Sequence, residues 1–400
     1  MNNETRKETQ VLPKDVRYVG ADDLTLPLFE NQYPVQPMGV SYNSYLILDE
    51  KIAVMDSVDA RAADEWLAKL AHELDGRSPD YLVISHMEPD HSGSILRLAE
   101  RYPGMQLVGN TKTFTMLRQF FGAKAPTDDR LLEVGEGETL PLGAHTLHFM
   151  LAPMVHWPEV MVAYEETEKI LFSADAFGRF GSLGRTANAP WAPQARRYYY
   201  NIVGKYGAQV QALLKKASAL EIETICPLHG PVLTGEALGE ALRLYDLWSR
   251  WQSESPDDIL LAHASIHGNT ARAAELLKQK LEAKGARVTL CDLTTTEVSY
   301  AVANAFYCGK LVLACSTYDG GLFPPMEEFL SHLQAKGFRD RSVGLMENGS
   351  WAPAAARLMR AKLEEMKDLR VCGTVVSLRS ALSPANEAQM EALSTELCAK

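Results

Sequence analysis

Four side chains able to bind a metal ion fall within the six residues from His86 to His91, in the run Ser85-His86-Met87-Glu88-Pro89-Asp90-His91-Ser92-Gly93. The run begins where an apolar stretch, Tyr81–Ser85, ends. Two-residue spacing in extended chain points His86 and Glu88 to the same side. Asp90 and His91 then lie where a following helix, Ser94–Tyr102, begins. Such a cluster can surround a pair of metal ions with little backbone movement. Three later segments repeat the pattern of an apolar run followed by a polar ligand: Met154-Val-His156-Trp-Pro158, Phe172-Ser-Ala-Asp175 and Ile225-Cys-Pro-Leu-His229. Singly, each has a structural reading: a solvated loop for the first cluster, a core histidine for His156, a helix N-cap for Asp175. Together those readings weaken.

A second constellation lies in the C-terminal third. Ser265, His267, Gly268, Asn269 and Thr270 follow a strand-like run and precede a helix pattern. Hydroxyls, a glycine and the free N–H groups of a helix start make a phosphate cradle. Two further loops, holding Ser316, Thr317, Tyr318, Asp319 and Gly320, and Asn348, Gly349, Ser350 and Trp351, follow later strand-like runs. Tyr318 and Trp351 suit the flat faces of an isoalloxazine ring, and the loop backbones suit its polar edge. The set resembles the FMN site of flavodoxins. No GxGxxG run occurs, which disfavours a nicotinamide- or FAD-binding unit.

The elements that must position these residues change texture along the chain. Ser41–Leu48 and Lys51–Asp56 read as a hairpin, followed by a helix over 62–74 and the strand 81–85. Strand-like runs follow at 145–151, 159–164 and 169–172, then helix patterns at about 196–220 and 235–251. Strands in runs, then mixed with helices, fit a layered sandwich. After Ser253-Glu-Ser-Pro-Asp257 strict alternation sets in, with strands at 259–264, 287–292, 310–315, 341–346 and 370–378 and a clear helix at 270–284. That is the pattern of a five-stranded parallel α/β domain. The boundary is expected in the polar stretch 252–256, giving domains 1–254 and 255–400.

Four hundred residues exceed what one core usually organises. A net charge of −11 argues against a nucleic-acid partner. No apolar run reaches the roughly 20 residues a membrane span needs. Met1–Gly20 holds no apolar core of signal-peptide length, so a cytoplasmic protein is expected. The six cysteines lie far apart with no CxxC pair, which reads as reduced thiols and excludes an attached rubredoxin-type iron centre.

On the ligand segments and both halves together, the chain resembles the metallo-β-lactamase superfamily and, within it, the flavo-diiron proteins (A-type flavoproteins). The hydrolases of that superfamily carry H-x-H-x-D-H; here a glutamate replaces the second histidine, giving His86-x-Glu88-x-Asp90-His91. The resemblance implies an αββα metallo-β-lactamase-like sandwich followed by a flavodoxin-like domain that binds FMN. It puts His86, Glu88 and His156 on one iron, Asp90 and His229 on the other, and Asp175 between them. His91 is left open, since the equivalent histidine is bound in some members only. Carboxylate and imidazole ligands suit iron, and the added negative charge favours its higher oxidation states.

The resemblance also implies an oxidoreductase that reduces O2 to water, nitric oxide to nitrous oxide, or both. Electrons would come from a rubredoxin-like donor on a separate chain, and the assembly would be a head-to-tail homodimer or a tetramer of such dimers. The segment Arg196–Ile202 resembles one that places a tyrosine near the irons, with Tyr198 and Tyr199 both open. A histidine found in some members near Phe29–Gln32 is missing here, which leaves gas selectivity and proton supply open. Two rivals, a zinc hydrolase with an accessory flavodoxin-like domain and a bare electron carrier, fit Glu88 and the intact ligand set poorly.

Overall fold

The computed structural model describes residues 12–399. Met1–Val11 and Lys400 lie outside it, and with them half of the Met1–Gly20 segment read above for targeting. Two compact units divide the chain, Met1–Asp246 and Leu247–Lys400.

Unit one is built on two six-stranded sheets. The first holds β1 (Val16–Tyr18), β2 (Tyr45–Ile47), β3 (Ala53–Met55), β4 (Tyr81–Val83), β5 (Gln106–Gly109) and β6 (Leu131–Glu133), paired in that order. The second holds β7 (Thr139–Pro141), β8 (Thr146–Leu151), β9 (Met161–Glu165), β10 (Ile170–Phe172), β11 (Thr224–Cys226) and β12 (Leu233–Thr234), again in chain order. Alternation along these strands sends one set of side chains inward. Tyr45, Ile47, Met55, Val83 and Val108 of the first sheet pack in one core with Leu147, Phe149, Met161, Ile170 and Phe172 of the second. The expected hairpin is present as β2 and β3, with Tyr45 opposite Met55. Helix α1 (Ala63–Leu74) buries Ala63, Trp66, Leu67, Leu70 and Leu74, one stripe at helical spacing. This is the αββα sandwich expected.

Two expectations need correction. The helix expected over 196–220 is broken into a helix at Trp191–Tyr198, a π turn at Tyr199–Val203 and a helix at Gly207–Ala217. A short 3-10 turn, Gly204–Tyr206, joins the π turn to the last helix. The strands β5 and β6 and a helix at Thr111–Phe121 were not foreseen, because their apolar runs are short and of mixed period.

Unit two is one parallel sheet of β13 (Ser255–Ala264), β14 (Val288–Asp292), β15 (Cys308–Tyr318), β16 (Arg341–Asn348) and β17 (Leu369–Leu378). Its order is β14-β13-β15-β16-β17, the flavodoxin-like winding expected. Ile259, Leu261, Val312, Ala314 and Met346 of the sheet pack against Ala273, Leu277, Leu393 and Leu397 of its helices. In such a winding ligands sit beyond the carboxyl ends of the strands.

No helix among the described residues is long and apolar enough to cross a membrane. None of the six cysteines is in a disulfide.

Candidate functional site

The seven side chains singled out in the N-terminal half come from one edge of the sandwich. His86 and Glu88 leave the end of β4 in extended chain, and Glu88 is the N-cap of a helical turn, Pro89–Ser92, whose first position is the proline. That turn carries Asp90 and His91. His156 lies in the loop after β8, Asp175 in the loop after β10 and His229 in the loop after β11.

The structure brings all seven together in two sets. In the first, His86 Nε2 lies 3.2 Å from Glu88 Oε2 and 3.3 Å from Asp175 Oδ2. His156 Nε2 lies 3.1 Å and 3.2 Å from the same two oxygens. In the second, His91 Nε2 lies 3.3 Å from Asp90 Oδ2, 3.2 Å from Asp175 Oδ1 and 3.0 Å from His229 Nε2. Asp175 therefore turns one oxygen to each set. Separations near 3.2 Å are the edges of a donor shell about 2.0–2.2 Å from a common centre, the range of metal–nitrogen and metal–oxygen bonds.

The unmet hydrogen bonds point the same way. Both oxygens of Asp90, Asp175 Oδ1 and His91 Nδ1 are buried without a hydrogen-bond partner. Orphaned acceptors of this kind are rare in folded proteins and call for a specific explanation, such as a bound ion. A pair of metal ions fits this donor set.

Charge in the metal-free protein is balanced internally. Burial pulls the His86 imidazole down, but hydrogen bonds to Glu159 and Glu88 and the charge of Asp175 raise it well above its usual value. His156 is likewise lowered by burial, yet its bonds to Asp175 and Glu88 push it up to about 9. Burial raises Asp175, but the surrounding imidazolium charges, His91 first, hold it well below the carboxylate range. A metal ion must displace these protons, because only neutral imidazole is a ligand. Uptake of Fe2+ by the apoprotein should therefore weaken as pH falls from about 9 toward 6.5, by roughly tenfold per pH unit for each proton displaced. Anaerobic calorimetry in buffers of different ionisation enthalpy measures this directly. Uptake independent of pH and releasing no protons would contradict it.

Several residues that sequence reasoning missed surround the seven. His86 Nδ1 is 2.8 Å from Glu159 Oε1, and His229 Nδ1 is 2.7 Å from the Ser41 carbonyl oxygen. Asp56 accepts from the Ser85 N–H at 2.8 Å and from the Ser85 hydroxyl, which steadies the start of the ligand run. Tyr198 is buried beside His229, with ring centroids 5.5 Å apart and a hydroxyl that has no hydrogen-bond partner. Tyr199 packs instead on Tyr245 and Tyr200, at 5.0 Å and 5.2 Å. Of the two tyrosines left open, the structure places Tyr198 at the cluster.

A cavity of about 420 Å³ opens onto Glu88 and Asp90 and is walled by Leu26, Phe29, Glu30, Tyr42 and Arg61. Glu30 as a residue is exposed, but its carboxyl is desolvated in this cavity beside Glu88, and the two effects push it up to about 7. His145 and His148 lie apart from the cluster, bonded to Asp49 and Glu166 at 2.8 Å each.

In unit two a cavity of about 630 Å³ is lined by Ser265, His267, Asn269, Thr270, Ser316, Thr317, Tyr318, Asp319, Gly320, Asn348, Gly349, Ser350 and Trp351. Of the expected residues only Gly268 does not line it. Gly268 instead has φ +85 at the start of the helix Asn269–Ala283, a conformation natural to glycine, and its N–H donates to Ser265 Oγ at 3.1 Å. At the cavity floor Thr270 Oγ1 is 2.9 Å from Ser316 Oγ and accepts from Asn348 Nδ2 at 3.3 Å. Ile266, Ala352 and Ser380 also line it and were missed. Ser380 N donates to Asn348 Oδ1 at 3.0 Å, so the loop after β17 closes the rim. Hydroxyls at a helix start, exposed aromatic rings and this volume fit a phosphorylated flavin.

Comparison with known proteins follows the same division. Residues 40–230 match the model of the ODP family beta lactamase. The chain is 26% identical over 387 residues to an anaerobic nitric oxide reductase flavorubredoxin of Vibrio vulnificus, covering 94% of this chain and 76% of that protein. It is 27% identical over 360 residues to a rubredoxin-oxygen oxidoreductase of Megalodesulfovibrio gigas, covering 87% of each. The crystal structure of the flavodiiron protein from Giardia intestinalis superposes with a TM-score of 0.88 at 25% identity, over 98% of this chain and 97% of that one. With both units matched in order and Glu88 standing where the hydrolases have histidine, the chain is similar along both units to the flavo-diiron proteins.

Proposed function

We propose that this chain is an oxidoreductase that reduces O2 to water, nitric oxide to nitrous oxide, or both, taking electrons from a rubredoxin-like protein. The observation that carries the reading is Asp175: one fully buried carboxylate facing two matched ligand sets through its two oxygens. His86, Glu88 and His156 would hold one iron, and Asp90, His91 and His229 the other, with Asp175 shared. His91 belongs with the ligands on this reading because its Nε2 lies 3.2 Å from Asp175 Oδ1 and 3.0 Å from His229 Nε2, the same range as the other contacts of the cluster. Ser265, Asn269, Thr270 and the helix start behind Gly268 would hold the FMN phosphate, and Tyr318 and Trp351 its ring. Bound there, two irons and one FMN supply four electrons in all, the number needed to reduce O2 to water and twice the number needed to join two molecules of nitric oxide.

The chain's own residues then have definite tasks. Burial of His86, His91, His229 and Asp175 keeps bulk water from the pair and strengthens every charge interaction there. Burial first, then the charges of Asp175 and Asp90, hold the Tyr198 proton on its oxygen well above the usual range. That hydroxyl is thus a hydrogen-bond donor at any physiological pH, free to orient a small polar molecule beside His229. The cavity past Glu30 and Arg61 gives such a molecule a way in.

The reading takes 1–254 as the iron-holding domain and 255–400 as the flavin domain. It places the protein in the cytoplasm, where cysteines outside any disulfide stay reduced. A head-to-tail homodimer, or a tetramer of such dimers, accords with Tyr318 and Trp351 standing 44% and 83% exposed at the flavin cavity. Turnover measured side by side on O2 and on nitric oxide, with reduced rubredoxin as donor, tests the activity. Consumption of at least one gas is expected, and consumption of neither by protein loaded with iron and FMN would refute it.

A further inference from the structure

The two metal positions are matched in the ligands that face them. Each is offered two imidazoles, one carboxylate of its own and one oxygen of Asp175. In number and type of donor atom the two sides therefore match, a glutamate on one standing against an aspartate on the other. The difference lies behind the imidazoles.

On the Glu88 side, the far nitrogen of His86 donates to Glu159, whose side chain is fully buried, at 2.8 Å. The same oxygen of Glu159 accepts the Met87 N–H at 2.9 Å, and the Glu159 carbonyl oxygen accepts from Asn110 Nδ2 at 2.6 Å. Asn110 in turn caps the helix Thr111–Phe121, so Glu159 is held from several directions. On the Asp90 side, His229 donates to a neutral group, the Ser41 carbonyl, and His91 Nδ1 has no partner. The other buried carboxylate nearby, Asp56, is bonded to Ser85 and to neither imidazole, and its influence reaches His91 and His86 alike. Among the described residues, only one of the two positions therefore has an anion hydrogen-bonded to the back of a ligand.

A carboxylate behind a metal-bound imidazole draws its N–H proton outward and makes the ring a stronger donor. A stronger, more negative donor set favours the higher oxidation state of the ion it holds. A neutral carbonyl does this less. Resting on the reading that the seven side chains hold an iron pair, we propose that Glu159 is a positioning residue that makes the two irons unequal. Through His86 it renders the iron on the Glu88 side the harder to reduce, so the first electron passed from reduced flavin settles on the Asp90 side. In that step the flavin loses one electron and the Asp90-side iron gains it; the second electron then reduces the Glu88-side iron.

The test is a potentiometric titration of the holoenzyme, followed by Mössbauer and EPR spectroscopy, on wild type, Glu159→Gln and Glu159→Asp. Glutamine keeps an oxygen to accept the His86 N–H but removes the charge; aspartate keeps the charge on a shorter arm. Wild type should reduce in two separate one-electron steps. In Glu159→Gln, with two irons and FMN retained, the lower step should rise while the upper stays. That narrows the gap by about tenfold in the equilibrium constant, or about 59 mV for one electron. Glu159→Asp should fall between the two. A single two-electron step in wild type, equal shifts of both steps, or a gap that ignores the charge at 159 would each overturn the proposal. Should Glu159→Gln fail to load iron, Glu159→Asp decides alone: a gap narrower than wild type supports the proposal and an unchanged gap overturns it. Wild-type protein that holds no iron at all is a different result, and refutes the ligand reading itself.

Discussion

Replacing Asp175 by alanine should empty the iron site while leaving the flavin bound. Asp175 is fully buried, and each of its oxygens lies within 3.5 Å of two imidazole nitrogens, one pair per set. Removing it deprives both positions of a ligand at once and leaves like-charged imidazoles facing one another when protonated. Breaking a buried charge pair by deleting one partner costs about 3–5 kcal/mol, which corresponds to a fall in metal affinity of roughly 10²- to 10⁴-fold. Gas reduction should fall with iron content. The FMN absorption should be unchanged, because the flavin cavity is lined wholly by residues of unit two. Iron analysis and the visible spectrum of the same preparation report both halves of the expectation. His148→Ala is the control: a half-exposed histidine paired with Glu166, whose loss should alter neither. Full iron content and turnover in Asp175→Ala would mean that the ligands are wrongly assigned.

The converse effect is expected at the other site. Thr270 is buried, and its hydroxyl is bonded to Ser316 and receives a hydrogen bond from Asn348, which fixes it at the helix start. Asn269 lines the same end of the cavity. Hydrogen bonds to a charged group are worth about 1.5–3 kcal/mol each. The double variant Asn269→Ala, Thr270→Val should therefore lose FMN affinity by roughly 10²- to 10⁴-fold while its iron content stays at the wild-type level. Turnover driven by a protein donor should fall in step with flavin occupancy and recover when excess FMN is supplied. Fluorescence titration of FMN into the apoprotein gives the affinity. Unchanged affinity would remove the phosphate from this loop.

Much of this was legible in the sequence because the local signals and the global fold agree. His86 to His91 could be read as a cluster since strand spacing and a proline-started turn fix where each residue points, and the structure shows that arrangement. The five strands of unit two were legible from their alternation with helices, and their winding order follows from that class of fold. The residues missed share a different property: they act across the fold rather than along the chain. Glu159 meets His86 from 73 positions away, and Ser41 meets His229 through a backbone oxygen that any residue could have supplied. No spacing rule reports either. Ser380 could have been found, since it follows the carboxyl end of the fifth strand just as the expected loops follow theirs.

Tyr198 shows the same limit. In a regular helix Tyr198 and Tyr199 lie on neighbouring faces, and composition cannot say which face meets the cluster. The π turn that begins at Tyr199 leaves Tyr198 beside His229 and sends Tyr199 to Tyr245. Such a widened turn arises from packing, and is common at functional sites.

The account stands most directly on what the full chain holds when purified from iron-supplied cells. Metal analysis by mass spectrometry, with FMN quantified from the same sample, should give two irons and one FMN per chain. Zinc in place of iron with no flavin, or flavin with no metal, would contradict it.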